Sequence, residues 1–238
     1  MPQRRLLLIS NSKDPQGRYL RWPEASLRGF LAGAGTVAFV PFAGVTVAFD
    51  AYTAKVRDVF APMGLEVRSV HEAADAAKLL RGADAIAVGG GNTWRLLERL
   101  QATGLLDVIR DRALAGVRYF GWSAGAVLAC PTIQTTNDMA VVVPAGTRAL
   151  GLVPFQINPH YTDEHPAGFQ GETRAERLAE FIELNPGVRV VGLSEGTLLR
   201  IEGDGIELVG GSDAVLFERG REVRRLHPGG DLRFLLGL

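Results

Sequence analysis

The chain has 238 residues, 47% of them hydrophobic and 22% charged, and its 26 basic residues balance 26 acidic ones. This composition is ordinary for a globular protein and excludes disordered and fibrous classes. A net charge of zero lacks the positive excess that neutralises many phosphates, so nucleic acid is not expected as a partner.

Length and cysteine content limit the organisation further. The length suits one large core, and we predict a single domain over residues 1–238. Cys130 is the only cysteine, which excludes an intrachain disulfide and a cysteine zinc cluster and favours a reducing cytoplasm. Apolar residues 6–9 are too few for a signal-peptide core and predict a buried first strand. No later segment is apolar for long enough to span a membrane.

The first half of the chain alternates short apolar runs with helical patterns. Strands are predicted at residues 6–9, 37–40, 65–70, 85–88 and 117–120. Helices are predicted at residues 23–31, 52–60, 75–80, 93–100 and 105–114. Such alternation is typical of an α/β fold in which a mostly parallel sheet carries helices on both faces.

The motif Gly121-Trp122-Ser123-Ala124-Gly125 follows the fifth strand and precedes a run of small residues at 126–130. A serine on such a sharp strand-to-helix turn forms a nucleophile elbow, with its hydroxyl pushed out of the fold. The Ala124 N–H would then lie at a helix N-terminus and could stabilise an oxyanion. The same pattern also occurs in turns with a buried or capping serine, so both interpretations stay open here.

The second half of the chain is less regular. Residues 132–154 predict a loop around the site, with a short strand at 141–143. Further strands are predicted at residues 155–157 and 188–193, with a helix at 173–184 between them. Alternating residues from 197 onwards predict a C-terminal antiparallel extension, with strands at 198–201, 206–209, 215–217 and 223–226.

Four loops directly follow these apolar runs, and in an open parallel sheet such loops gather at one edge and form the ligand crevice. They are Gly89-Gly90-Gly91-Asn92, the elbow, Asn158-Pro159-His160 and Ser194-Glu195-Gly196. His160 is the candidate base for Ser123, because His71, His165 and His227 lie on polar stretches or in the tail. A histidine that merely caps a strand end is the competing interpretation.

Two acids compete to orient the imidazole. Glu195 ends a strand and is favoured, whereas Asp138 follows the elbow helix and could also be a turn former. An N–H of the glycine loop, near Gly91, could supply a second oxyanion donor. A phosphate loop is disfavoured, because a Walker lysine is missing and the dinucleotide pattern fails at Trp94.

The sequence resembles the peptidase E family over nearly its whole length. The resemblance is carried by Ser10-Asn11-Ser12, Pro41-Phe42-Ala43-Gly44-Val45-Thr46, Val88-Gly89-Gly90-Gly91-Asn92-Thr93, Gly121-Trp122-Ser123-Ala124-Gly125-Ala126, Cys130-Pro131-Thr132, Thr135-Thr136-Asn137-Asp138-Met139, Gln156-Ile157-Asn158-Pro159-His160 and Gly171-Glu172-Thr173-Arg174. These serine peptidases share the fold of class I glutamine amidotransferases and hydrolyse dipeptides with N-terminal aspartate.

The resemblance implies that Ser123 is the nucleophile and His160 its base, with both Asp138 and Glu195 as site residues. The substrate would be a small aspartyl dipeptide, and neither a metal nor a cofactor would be needed. Ser194 departs from the proline expected beside Glu195. Arg174, with Asn92 nearby, is our hypothesis for reading the substrate's side-chain carboxylate, although a helix-start arginine is often merely solvated.

Other functions remain open at this point. A cyanophycinase or isoaspartyl-type peptidase would use the same serine on a β-linked bond. An α/β-hydrolase esterase has the same order of serine, acid and histidine but lacks support from an HGGG-type loop. A non-catalytic aspartate sensor would keep only the fold. The chain could form a homodimer, and the helix face of Leu96, Leu97 and Leu100 is the candidate contact surface.

Overall fold

The structure, a computed structural model, describes residues 4–164, 167–168 and 170–237. His165, one of the histidines weighed above, lies outside the described residues. The strands are β1 Arg5–Ile9, β2 Thr36–Val40, β3 Glu66–Ser69, β4 Ala85–Val88, β5 Arg118–Trp122, β6 Gln156–Tyr161, β7 Val190–Ser194, β8 Thr197–Glu202, β9 Gly205–Gly210, β10 Ala214–Phe217 and β11 Arg224–Leu226. The α-helices are α1 Glu24–Phe30, α2 Phe49–Phe60, α3 Ala76–Gly82, α4 Thr93–Ala102, α5 Leu105–Leu114, α6 Ala124–Leu128 and α7 Arg174–Leu184.

The larger sheet has the order β3-β2-β4-β5-β1-β8-β9. Strands β1 to β5 pair in parallel, as the alternation of strands and helices predicts. The β8–β9 hairpin then adds to β1 in antiparallel orientation. The expectation of a mostly parallel sheet with an antiparallel extension is therefore confirmed.

A second sheet has the order β11-β10-β7-β6 and contains a parallel β6–β7 pair. We expected the four candidate loops to come from one sheet, and this expectation is wrong. Strand β8 occupies the position beside β1, so β6 and β7 form a separate sheet, and the turn between β7 and β8 joins the two sheets. Apolar runs mark strands in the sequence but do not show which sheet they enter.

One hydrophobic cluster links the two sheets, since it contains residues of β1, β4, β6 and β7 together with α4 to α6. Leu96, Leu97 and Leu100 are each 0% exposed within it. The suggestion that these leucines form a dimer face is therefore wrong, because they already pack against the chain's own core. On the other face of the larger sheet, Phe39 stacks on Trp122 with ring centroids 6.0 Å apart.

The short strand expected at residues 141–143 does not form; that segment is an irregular loop in which Val143 is 88% exposed. Three valines in a row have a high strand propensity, but a strand also needs a partner and a buried face. No helix in the described ranges is long and apolar enough to cross a membrane.

Candidate active site

Ser123 lies at the junction between β5 and α6. Its backbone has φ 53° and ψ −111°, and its N–H donates to Ile9 O at 2.9 Å. Among the described residues other than glycine, only Leu20, Ser123 and His160 have positive φ. Strained backbone of this kind persists where the surrounding structure enforces it, and it is concentrated at functional sites.

The two glycines of the elbow allow a close approach of main chains. A Cβ at Gly121 would lie 2.5 Å from Gly125 O, and one at Gly125 would lie 2.2 Å from Val88 O. Neither glycine has positive φ, so their role is to make space. They let α6 sit directly on β4 and β5, which fixes the position of Ser123.

Replacing Gly125 by alanine is expected to destabilise the fold by at least about 1 to 3 kcal/mol, because the added methyl overlaps a backbone oxygen that cannot move alone. Urea unfolding followed by circular dichroism measures the change. Gly29→Ala is the matched control, since a Cβ there in α1 meets nothing within 4 Å. A Gly125→Ala protein as stable as the Gly29→Ala protein would contradict this account of the elbow.

His160 lies inside β6 rather than in a loop after it. It has φ 54° and occupies a register shift between Pro159 and Tyr161 where β6 pairs with β7. Such a bulge bends a strand and re-aims one side chain. His160 Nε2 lies 2.9 Å from Ser123 Oγ, and Nδ1 lies 2.6 Å from Glu195 Oε1. Serine, imidazole and carboxylate thus form one continuous hydrogen-bonded chain.

Glu195 occupies the turn between β7 and β8, and its side chain is 63% exposed. The next residue, Gly196, has φ 75° and donates its N–H to Asn11 Oδ1 at 2.8 Å. Ser194 Oγ donates to Asp213 O at 2.8 Å. The turn is therefore tied on both sides of the glutamate, although proline is missing.

The structure places Asp138 away from the imidazole, at the N-terminus of α4. The N–H and hydroxyl of Thr93 and the hydroxyl of Thr136 donate to Asp138 Oδ2 at 2.7, 2.6 and 3.0 Å. A carboxylate at this position satisfies free helix donors and complements the helix dipole. Of the two acids, it is Glu195 that contacts His160.

Two backbone donors flank the serine. Within the residues that the structure describes, neither Ala124 N–H nor Gly91 N–H donates to another group. A Cβ at neighbouring Gly90 would lie 3.1 Å from Ser123 Cβ, so the glycine loop runs beside the serine. Gly91 has φ 137°, and a Cβ there would lie 2.3 Å from Ala43 O, so only glycine fits. That these two N–H groups stabilise a developing negative charge stays a prediction.

The two residues expected to contact substrate differ in their surroundings. Asn92 lines the cleft, but its Oδ1 accepts from Arg95 N–H and its Nδ2 donates to Met139 O. Its side chain thus caps α4, and a direct substrate contact by it stays a prediction.

Arg174 begins α7 and is partly buried, with no ion pair in the described part of the chain. Burial lowers the pKa of its guanidinium and Arg177 lowers it further, whereas the negative charges of Asp138 and Glu195 raise it. A guanidinium stays protonated in proteins, and that of Arg174 lies within electrostatic reach of the carboxylates of Asp138 and Glu195.

Ser123 opens into a cleft of about 920 Å³. Its walls come from the segment after β1, the loop before α2, the exposed face of α2, the glycine loop and the turn at Glu195. Tyr52 forms part of the wall behind the serine: its hydroxyl donates to Gly90 O at 2.9 Å and accepts from Trp122 Nε1 at 3.1 Å. Burial raises the pKa of Tyr52 to about 12, so it stays a neutral hydrogen-bonding group.

Sequence reasoning gave no role to the segment after β1, which holds both the histidine and the glutamate. Ser10 Oγ accepts from His160 N–H at 2.9 Å and donates to Leu193 O at 2.7 Å. Asn11 accepts from the glycine after Glu195. Polar Ser10 and Asn11 follow a buried strand at once, as the other site loops do, and that position was the available signal.

In the described residues, one group of three side chains could offer ligands to a metal: Asp50, His71 and Glu72. His71 already bonds Ser69 Oγ through Nδ1 and Asp50 through Nε2. Glu72 is paired with Arg57 through both carboxylate oxygens. His71 lines a different depression, and none of the three side chains lines the cleft into which Ser123 opens, so the group takes no part in the chemistry of the serine.

Comparison with known proteins adds three findings. The sequence profile of peptidase family S51 matches residues 6–209. The chain is 45% identical to peptidase E of Nostoc sp. over 98% of this chain and 97% of that protein, and 48% identical to peptidase E of Streptomyces coelicolor over 97% and 94%. A crystal structure of a peptidase from an acI-B1 actinobacterium superposes with a TM-score of 0.70 at 19% identity, and the match covers 97% of this chain and 96% of that one. At this identity the similarity shows a shared fold only.

Proposed function

The chain belongs to peptidase family S51, and from this we propose that it is a serine dipeptidase that releases aspartate from dipeptides with N-terminal aspartate. The peptidase E relatives support the activity. A single peptidase domain over residues 1–238 is part of the proposal. So are the roles of the individual residues that follow.

The observation that carries the proposal is the hydrogen-bonded chain from Ser123 Oγ through His160 to Glu195. His160 Nε2 is placed to take the proton of the hydroxyl as it attacks. Glu195 fixes the tautomer with the proton on Nδ1 and stabilises the imidazolium that forms. The arrangement supplies an activated nucleophile without a metal.

The reaction then proceeds in two halves. Ser123 Oγ attacks the aspartyl carbonyl carbon, and the oxyanion is held by the N–H groups of Ala124 and Gly91. His160 passes its proton to the leaving amine, so the second amino acid departs and an aspartyl ester remains on Ser123. His160 then takes a proton from water, whose oxygen attacks the ester carbonyl, and returns that proton to Ser123 Oγ as free aspartate leaves. Asp138 acts indirectly: it does not contact the imidazole but holds the start of α4 next to the glycine loop.

A panel of three dipeptides separates this function from its rivals. We expect the protein to hydrolyse Asp-Leu and to leave β-Asp-Leu and Asn-Leu nearly untouched. Product analysis by chromatography measures free aspartate and leucine. Faster hydrolysis of β-Asp-Leu would favour an isoaspartyl-type peptidase, and binding of aspartate without turnover of any of them would favour a sensor.

Arg174 is proposed to pair with the side-chain carboxylate of the substrate. We expect Arg174→Ala to lower kcat/KM for Asp-Leu by about 10²-fold or more and to leave the slow rate with Asn-Leu nearly unchanged, because only the charged side chain loses its partner. Arg177→Ala, one turn further along α7, is the matched control. If the preference for Asp-Leu over Asn-Leu survives in Arg174→Ala, the assignment is wrong.

Location and assembly complete the proposal. A cytoplasmic location is supported by the single cysteine, whose thiol is buried and has a pKa raised by burial to about 12. A homodimer stays a prediction, which sedimentation equilibrium would test. Its contact surface must differ from the buried leucine face of α4.

A further inference from the structure

Lysine is rare in this chain, and most of its lysines lie in one part of the fold. Of the 26 basic residues, only Lys13, Lys55 and Lys78 are lysines. Two of the three, Lys13 and Lys55, line the cleft into which Ser123 opens. A chain that uses arginine almost everywhere else thus has two compact ammonium groups in the cleft into which its nucleophile opens.

The ammonium group of Lys55 contacts an aromatic ring of the cleft. It lies one turn after Tyr52 on α2, and its Nζ stands 3.9 Å from the centroid of the Tyr19 ring. Tyr19 donates its hydroxyl to Tyr52 at 3.2 Å and packs edge-on against Trp122. The cation–π contact and these hydrogen bonds connect the ammonium group to the wall behind Ser123.

Lys13 adds a second positive charge at the same end of the cleft. Its backbone pairs with that of Tyr19 in an isolated bridge. Partial burial lowers the pKa of Lys55, and the charge of Lys13 lowers it further, so the two ammonium groups are close enough to repel. An anion placed between them would relieve this repulsion.

The cleft does not itself neutralise these charges. In the described ranges neither Lys13 nor Lys55 forms an ion pair, although both stand in a wall that contains acids. Asp14 is already paired with Arg18 at 2.7 Å, and Glu195 with His160 at 2.6 Å. The free positive charge suits a carboxylate brought by the substrate.

We propose that Lys55, assisted by Lys13, binds the free α-carboxylate of the second residue of the dipeptide. This inference rests on the proposed function, and it explains why the enzyme would select dipeptides over longer peptides. An aspartyl dipeptide carries two carboxylates, and Arg174 is assigned to the one on its side chain. A third residue would replace the terminal carboxylate with a neutral amide and leave the lysines without a partner.

The test compares Asp-Leu with its amide, Asp-Leu-NH₂, in four proteins. Lys55→Gln is expected to lower kcat/KM for Asp-Leu about 10- to 100-fold, mainly by raising KM, because it loses a charge-assisted hydrogen bond. The rate with the amide should change by less than about twofold, since the amide never used that bond. Lys55→Arg should recover most of the loss. Lys78→Gln, on α3, is the matched control and should behave as the wild type.

Three results would overturn the assignment. In Lys55→Gln, the first is an equal loss of kcat/KM with Asp-Leu and with its amide, and the second is unchanged kinetics with Asp-Leu. The third is a loss of the preference for Asp-Leu over Asn-Leu in the same variant, which would mean that the lysines bind the side-chain carboxylate instead. A wild type that hydrolyses neither Asp-Leu nor its amide would instead reject the proposed function.

Lysine acetylation of the Ser123→Ala protein tests binding without turnover. Asp-Leu should protect Lys55 from acetylation, with Lys78 as the internal reference, and Asp-Leu-NH₂ should protect it far less. Mass spectrometry of the digested protein measures the three lysines separately. Equal protection by the two ligands, or no protection by either, would count against the assignment.

Discussion

Replacing Ser123 by alanine is expected to lower kcat for Asp-Leu by at least about 10⁴-fold, because the reaction loses its nucleophile and the covalent route with it. The oxyanion donors at Ala124 and Gly91 stay in place, so a trace of activity above the uncatalysed reaction remains. Steady-state hydrolysis measures the loss, and circular dichroism shows whether the variant is folded.

Removing the base as well supplies the control for this prediction. Ser123 and His160 act as one unit, so the double variant Ser123→Ala, His160→Ala should be hardly slower than either single variant. Losses that multiply would contradict the direct contact of 2.9 Å between Oγ and Nε2. So would a His160→Ala protein with most of its activity.

Replacing Glu195 by glutamine is expected to lower kcat roughly 10²- to 10⁴-fold, because the amide cannot stabilise the imidazolium and can hold the wrong tautomer. The lower end reflects the exposure of this side chain, which lets water take over part of its role. Rates with Asp-Leu across a range of pH measure the effect.

Asp138→Asn is the matched comparison, since it removes one carboxylate from the same site. Its three hydrogen bonds hold Thr93 and Thr136 rather than the imidazole. We therefore expect a loss of about 1 to 2 kcal/mol in unfolding free energy and only a modest loss of kcat. A reversed order, with Asp138→Asn far slower than Glu195→Gln, would transfer the orienting role to Asp138.

Sequence reasoning went furthest where local pattern and local structure coincide. The parallel strands and the elbow follow from apolar runs and from glycines at fixed spacing. The bulge at His160 does not, because it depends on how β6 pairs with β7, which no local pattern encodes. The separation of β6 and β7 into a second sheet was not predicted for the same reason.

Side-chain environment was the other source of error. Leu96, Leu97 and Leu100 have the spacing of an apolar helix face, and periodicity alone does not distinguish a core face from a contact surface. Asn92 caps α4 through its side chain, and a direct contact between Asn92 and the substrate stays a prediction. The sequence shows only that lysine is rare, whereas the fold places Lys13 and Lys55 together in the cleft.

The most direct test of the central claim is to capture the aspartyl group on the protein. An activated aspartyl ester with a good leaving group acylates faster than water can deacylate, so acid quenching should yield protein with one aspartyl group attached. Peptide mapping should place that group on Ser123, and the Ser123→Ala protein should carry none. An aspartyl group on a different side chain, or hydrolysis of Asp-Leu by Ser123→Ala at the wild-type rate, would contradict the account.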